Sequence, residues 1–449
     1  MTLLKSLLHF LSQNVTVVGL ILMGLYVFSR IRKSLEKEEK AQAKIRDNIK
    51  KGMNEPMTLH PEIDPAICVG CTSCVKVCPE GDILQMVNHR AVLVAPTKCV
   101  GHGECERACP MGAIKLVFGT KTRGVDIPRV SKDYETNVPG LYIAGELGGM
   151  GLIRNATKQG VLAARHAIQH MKSSAKTDFD LLIVGAGPAG LSAGLCAIQE
   201  KKSHIVLEQN SFGGTVANFP RQKVVMSHPF EVPMFGTAKF KSNKVSKEEL
   251  LSYWGGIRQK AHVNIKEGVR FINLTPKGDV FQVETSEGPM TAKKVILCMG
   301  VRGSPRRLGV PGEDSTKVAY NLVDPRQYIG KKAVVVGGGN AGVEAAQMLG
   351  DPKMNCQTHL LVRGPVFDRC NDDNKKRIEA LADKGQVKIW FNASIQEIHK
   401  DHVIIKKGEE VVKLDNDFVF VFAGAEMPFK FLMGLGVKID KKFGEGLTG

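Results

Sequence analysis

Two glycine-rich loops, Gly185-Ala186-Gly187-Pro188-Ala189-Gly190 and Gly337-Gly338-Gly339-Asn340-Ala341-Gly342, do most to limit how this chain can fold. Each follows a short β-rich run, residues 180–184 and 333–336, and each opens a helix-like stretch. In a strand–loop–helix unit the glycines permit a tight turn, let the backbone approach a pyrophosphate and set that group at a helix N-terminus. One such loop is a weak sign, but two in register, about 150 residues apart, predict two α/β domains built on parallel sheets. Glu208 ends the β-rich run after the first loop, where a carboxylate can bind a ribose hydroxyl. The matching place after the second loop offers Arg363 and no acid. An Arg there can pair a 2′-phosphate, which leans toward NADPH, while the final Gly342 leans back toward NADH.

Cysteine placement adds a third module. Of eleven cysteines, seven fall between Cys68 and Cys109. Cys68, Cys71, Cys74, Cys78 and Pro79 spell C-x-x-C-x-x-C-x-x-x-C-P, in which three thiolates wrap one cubane cluster and the fourth ligates its neighbour. Cys99, Cys105, Cys109 and Pro110 repeat the run at matching offsets, and His102 stands where the second cysteine belongs. Zinc wants two ligand pairs instead. By analogy with two-cluster ferredoxins, which this segment resembles, one cluster takes Cys68, Cys71, Cys74 and Cys109. The other takes Cys99, Cys105 and Cys78. Either His102 completes that set or the site holds a three-iron cluster. A neutral imidazole in place of a thiolate makes the cluster less negative and raises its potential, and in both cases the second cluster is expected to have the higher potential.

Over residues 121–449 the chain resembles the thioredoxin reductase-like branch of the pyridine nucleotide-disulfide oxidoreductase superfamily. The resemblance rests on both glycine loops, on Gly213-Gly214-Thr215 after Glu208, on residues 295–300 ahead of Gly303-Ser304-Pro305-Arg306, and on Glu344 inside the second helix. It implies FAD at the first loop and NAD(P)H at the second, with Glu344 near the nicotinamide. Two departures matter. Thr136-Asn137-Val138-Pro139-Gly140-Leu141-Tyr142-Ile143-Ala144-Gly145-Glu146, then Gln159-Gly160, match the closing FAD motif of the family but precede the first loop. A circular permutation explains this order and brings Gly145, Glu146 and Gln159 into the FAD site. The redox C-x-x-C pair of the branch is also missing, since Cys196, Cys298, Cys356 and Cys370 are single. The flavin's electron partner is then a cluster rather than a disulfide.

Residues 6–29 carry no fixed charge and as a helix would span about 36 Å, enough to cross a bilayer. Nine Lys or Arg against four Asp or Glu follow between Arg30 and Lys51. This predicts a single-pass anchor over residues 1–30, N-terminus outside and bulk in the cytoplasm, touching membrane lipid through its basic flank. A basic helical stalk (31–56), a two-cluster ferredoxin (57–119) and a permuted piece of the FAD domain (120–175) come next. The FAD domain (176–305), the NAD(P) domain (306–413) and a return segment (414–449) complete the chain. A net charge of +17 with only 6% aromatic residues argues against nucleic acid, which would want stacking rings. The parts predict electron transfer between NAD(P)H and a one-electron partner, either a redox protein or a membrane carrier, in either direction. A homodimer is among the assemblies they admit. No side chain is needed as acid or base, so none is assigned a catalytic role. The rivals are a thiol or disulfide reductase and a non-catalytic redox sensor or assembly subunit.

Overall fold

The structure, a computed structural model, describes residues 15–50, 54–56, 59–149, 151–171, 174–226, 229–242, 244–301, 305–367, 370–424 and 426–446. Two compact units divide the chain, Met1–Leu116 and Val117–Gly449.

The first unit opens with one continuous helix, Val15–Lys50. Among the described residues no helix is long and apolar enough to cross a membrane. The predicted single-pass anchor, with its outside N-terminus and its localisation, is therefore not upheld. Residues 1–14 of that anchor and residues 51–53 of the predicted stalk lie outside the described residues. Nor is the second half of the helix a free stalk. Ala41 and Asn48 are buried, Asn48 Nδ2 donates to the Val94 carbonyl at 2.7 Å, and Lys44 Nζ donates to the Asp82 carbonyl at 2.8 Å.

What this helix packs against is a small two-fold repeat. Strands His60–Ile63 and Ile114–Val117 pair, and the hairpin Leu84–Val87 with Arg90–Leu93 lies between the copies. Each copy carries one short helix, Ser73–Val77 or Glu104–Arg107. Both copies use left-handed backbone at equivalent places: Gly70 and Gly101, Thr72 and Gly103, Gly81 and Gly112. The sequence repeat is thus a repeat of conformation.

The second unit holds two parallel-sheet domains. In the first, strand Phe179–Val184 lies between His204–Glu208 and the long strand Gly288–Leu297. That long strand pairs in parallel with Leu141–Ile143, far earlier in the chain. Helix Ile153–Gln169 packs on helix Pro188–Gln199 through buried alanines, Ala156, Ala163, Ala164 and Ala167 against Ala189, Ala193 and Ala197. A Cβ at Gly160 would come within 2.1 Å of the Ala189 carbonyl oxygen, so only glycine allows this approach.

Strands Val318–Ala319, Phe418–Val421, Lys332–Val336, Gln357–Val362 and Val387–Phe391 form the second sheet, all parallel. A three-stranded antiparallel sheet over residues 393–415 attaches to it. The predicted return segment begins too early at 414. Phe418–Val421 pairs with Lys332–Val336 and is an apolar central strand of the second domain. The chain returns later, where Leu432, Leu435 and Val437 join the core around Leu141, Ile143 and Val295. Strand Ile439–Lys442 then runs antiparallel to Val125–Pro128, and Phe118 N–H donates to the Glu445 carbonyl at 2.8 Å.

Candidate functional site

Two hollows mark the repeat module. Cys68, Cys71, Cys74 and Cys109 line the first, about 320 Å³ of empty space partly open to solvent, with Ala91, Met111 and Ile114. Cys78, Cys99, Cys105 and His102 line the second, about 370 Å³ and likewise partly open, with Pro61, Glu80 and Leu116. Each hollow takes three positions from one copy and one cysteine from the other, the exchange that the two-cluster analogy implies. Among the described residues no group of three or more His, Cys, Asp or Glu is placed to hold a single metal ion. These donors line hollows, and thiols spread around a hollow suit a cluster core. Every cysteine of the chain is a free thiol.

Electrostatics differ between the two hollows. Burial pushes the Cys99 thiol up to about 11 and, with the neighbouring Cys99, pushes Cys105 up to about 12. Cys71 is exposed, and hydrogen bonds with Ser73 hold it below the usual thiol range. His102 Nε2 lies 3.8 Å from Glu80 Oε1, with the His102 side chain 9% exposed. Burial raises the Glu80 carboxyl. Sequence reading passed over Glu80, although the repeat offset pairs it with Met111 and so marks it as different.

In the first α/β domain the predicted residues come together from four stretches of chain. Gly185 takes φ +104°, and a Cβ on Gly190 would meet the Gly185 carbonyl oxygen at 1.8 Å. Gly187 faces open space, with nothing within 4 Å of a Cβ, just before helix Pro188–Gln199, whose first turn holds Pro188 and Ala189. The Glu208 side chain is buried. Its Oε2 accepts from Ala186 N–H and its Oε1 from Asn210 N–H, both at 2.9 Å, which fixes the loop. Gly213 N–H donates to the Ala186 carbonyl at 3.1 Å, and Gly214 and Thr215 begin a short 3-10 turn beside Gly187. From the early segment, Gly145 N–H donates to Gln159 Oε1 at 2.7 Å, and Glu146 reaches toward Gly151 and Gly300. Gln159 is 2% exposed, yet its Nε2 has no protein partner. A buried amide donor left over beside an open glycine cradle fits a flavin dinucleotide. Gly303 and Ser304 lie outside the described residues.

The second domain repeats the cradle. Gly337 takes φ +133°, a Cβ on Gly342 would meet the Gly337 carbonyl oxygen at 2.2 Å, and Gly339 faces open space. Asn340 Oδ1 accepts from Asn371 N–H at 2.9 Å and from Asn374 Nδ2 at 3.2 Å. Glu344 is not open on both sides. Its Oε2 pairs with Lys223 Nζ at 2.7 Å and its Oε1 accepts from Asn374 Nδ2 at 2.9 Å. Arg363 is exposed just past the second strand. Lys223 and Asn374 carry no local motif, and only the folded chain shows them.

Residues 182–445 match the family model for pyridine nucleotide-disulphide oxidoreductases, and residues 60–110 match that for a 4Fe-4S dicluster domain. The chain is 31% identical over 267 residues to bacilliredoxin reductase Bdr of Bacillus subtilis, covering 59% of this chain and 82% of that protein. It is 30% identical over 272 residues to a ferredoxin–NADP reductase of Ignicoccus hospitalis, covering 59% and 83%. Among solved structures it is similar to the bacillithiol disulfide reductase Bdr (YpdA) from Bacillus cereus. The TM-score is 0.53 and the identity 25%, over 58% of this chain and 82% of that one.

Proposed function

The chain belongs to the pyridine nucleotide-disulphide oxidoreductase family, and from that premise we propose that it passes electrons between NAD(P)H and a one-electron carrier protein through FAD and two iron–sulfur clusters. It is an FAD-dependent pyridine nucleotide oxidoreductase that carries a 4Fe-4S dicluster domain. The observation behind the proposal is the distribution of thiols. Those of the dicluster module line two hollows, while Cys196, Cys298 and Cys370 are buried and lie far apart in sequence. Nicotinamide moves a hydride and clusters move single electrons, and FAD when bound supplies the conversion.

The chain's own residues prepare that conversion by holding the cofactors. Gly185, Gly187 and Gly190 would cradle the FAD pyrophosphate ahead of Pro188 and Ala189, and Glu208, which fixes the loop through Ala186 N–H and Asn210 N–H, would stand on the ribose side. Gly213, Gly214 and Thr215 close its far side. Gly145, Glu146 and Gln159 hold the flavin end, the unpartnered Gln159 Nε2 being the donor left for it. Gly337, Gly339, Asn340 and Gly342 cradle NAD(P)H. Glu344 positions its nicotinamide end, and Arg363 favours NADPH through a 2′-phosphate. Cys68, Cys71, Cys74 and Cys109 would hold one cluster; Cys78, Cys99 and Cys105 would hold the other, either with His102 as fourth ligand or as a three-iron cluster.

A circular permutation accounts for the order of these parts. It is supported by the parallel pairing of Leu141–Ile143 with Gly288–Leu297, by the Ile439–Lys442 strand beside Val125–Pro128, and by a family match that begins only at residue 182. Ferredoxin–NADP reductase relatives make a small ferredoxin-like protein the natural partner class. A second reading, reduction of an external disulfide, draws on the bacilliredoxin reductase relative.

One experiment separates the two. A Cys68→Ser/Cys71→Ser/Cys74→Ser variant should keep NAD(P)H-dependent flavin bleaching and lose reduction of a one-electron acceptor. Disulfide reduction surviving in that variant at the wild-type rate would favour the second reading.

A further inference from the structure

The helix after the second glycine loop, Asn340–Leu349, carries a polar stripe that its counterpart in the first domain lacks. Asn340, Glu344 and Gln347 are spaced to share one helical face. At the offset that matches Gly185 with Gly337, the first domain has Pro188, Ser192 and Leu195 in their places, and Leu195 is buried in its core. The stripe meets the start of helix Asp372–Asp383 at Asn374, which is 7% exposed. Asn374 Nδ2 donates to Asn340 Oδ1 at 3.2 Å and to Glu344 Oε1 at 2.9 Å. Gln347 Nε2 donates to the Asn374 carbonyl at 2.7 Å, and Asn374 N–H donates to Asn371 Oδ1 at 2.8 Å.

We propose that Asn374 is a positioning residue for the NAD(P)H site: its one buried amide group holds Asn340, next to the open cradle at Gly339, and Glu344, one turn further along, in a fixed relation before a nucleotide binds. The proposal rests on the reading of the second glycine loop as that site. A carboxamide has two N–H donors, and both are spent here on these two residues. Each partner is also held from another side, Asn340 Oδ1 by Asn371 N–H at 2.9 Å and Glu344 Oε2 by Lys223 Nζ at 2.7 Å. A bond to a carboxylate is charge-assisted and stronger than a neutral one, so the Glu344 side of the bridge is the tighter. Side chains locked in this way lose little freedom when a ligand arrives, and that saving appears as affinity.

The test uses the full chain with flavin and clusters in place, kept oxidised, and titrates NADP+ and NAD+ by isothermal calorimetry. FAD content and thermal unfolding are measured alongside. Asn374→Asp keeps the shape but turns an acceptor toward Asn340 Oδ1 and Glu344 Oε1. It should weaken the tighter-bound nucleotide roughly tenfold or more, the scale of one charge-assisted hydrogen bond, with FAD content unchanged. In the Glu344→Gln background the same change should cost much less, because the new amide can donate to the new carboxylate. Asn374→Ala, which removes the donor without adding an acceptor, should weaken binding in the same direction and serves if the Asp variant does not fold. Gln347→Met loosens the same pair of helices without touching Asn340 or Glu344, so it should lower the unfolding temperature and leave affinity as in wild type. Unchanged affinity in both Asn374 variants, or an equal loss in Gln347→Met, overturns the role of Asn374. An Asn374→Asp cost that is the same in both backgrounds overturns its link to Glu344, and the proposal with it. A wild-type protein that binds neither nucleotide overturns the reading of the second glycine loop, a result distinct from the others because it precedes any substitution.

Discussion

Lys223 Nζ lies 2.7 Å from Glu344 Oε2, joining a loop of the first α/β domain to the helix after the second glycine loop, 121 residues on. Both side chains are mostly buried, 18% and 24% exposed, and Asn374 occupies the other oxygen of Glu344. A charged pair at this burial is worth about 1–2 kcal/mol, between an exposed ion pair and a buried charge-assisted hydrogen bond. Lys223→Ala and Glu344→Ala should each lower stability in denaturant unfolding. The double variant should lose about 1 kcal/mol less than their sum. Strict additivity would show that the pair does not form in solution.

Gly160 tests whether the early segment belongs to the first domain. Its Cβ would sit 2.1 Å from the Ala189 carbonyl oxygen, which is backbone and cannot swing aside. Gly160→Ala should push the two helices apart, at about 1–3 kcal/mol or more, and release flavin on gel filtration. A variant as stable as wild type, with a full complement of flavin, would mean that helix Ile153–Gln169 does not pack there.

Gln159 makes a sharper probe of the same site. Its Oε1 satisfies Gly145 N–H at 2.7 Å, so Gln159→Leu leaves a buried donor unpaired, costing about 1–3 kcal/mol. It also removes the Nε2 that lacks a protein partner. The expected outcome is a lower FAD-to-protein ratio after desalting, measured by absorbance. Full retention of flavin would separate Gln159 from the cofactor.

Cluster assembly should depend on pH unequally. Cys99 and Cys105, pushed up to about 11 and about 12, must each give up a proton to bind a cluster. Cys71 is held low, although burial raises Cys74. A thiol with a raised pKa holds its proton through neutral pH, so acidification opposes ligation. On acidification from about pH 11 to about pH 7, reconstitution of apoprotein should therefore lose the second cluster at a higher pH than the first, counted by EPR. Parallel losses would contradict this.

What the sequence made legible was local. Glycine loops and cysteine runs encode backbone conformation and ligand spacing within a few residues, and the fold keeps both. The early segment also kept a legible pattern over residues 136–146, and its strand Leu141–Ile143 pairs with Gly288–Leu297. Contacts set by distant surfaces were not legible. A long uncharged run followed by basic residues reads as a membrane anchor, yet among the described residues no helix is long and apolar enough to cross a membrane. Phe418–Val421 is apolar enough for either sheet, and only its register with Lys332–Val336 assigns it. Lys223 has no motif, and Glu80 emerges only when the two copies are compared position by position.

Anaerobic titration of the purified protein with NADPH and NADH, followed by visible and EPR spectra, tests the proposed path most directly. The expected result is bleaching of the flavin followed by signals from reduced clusters, the second cluster appearing first. A flavin that bleaches while both clusters stay oxidised would contradict the account.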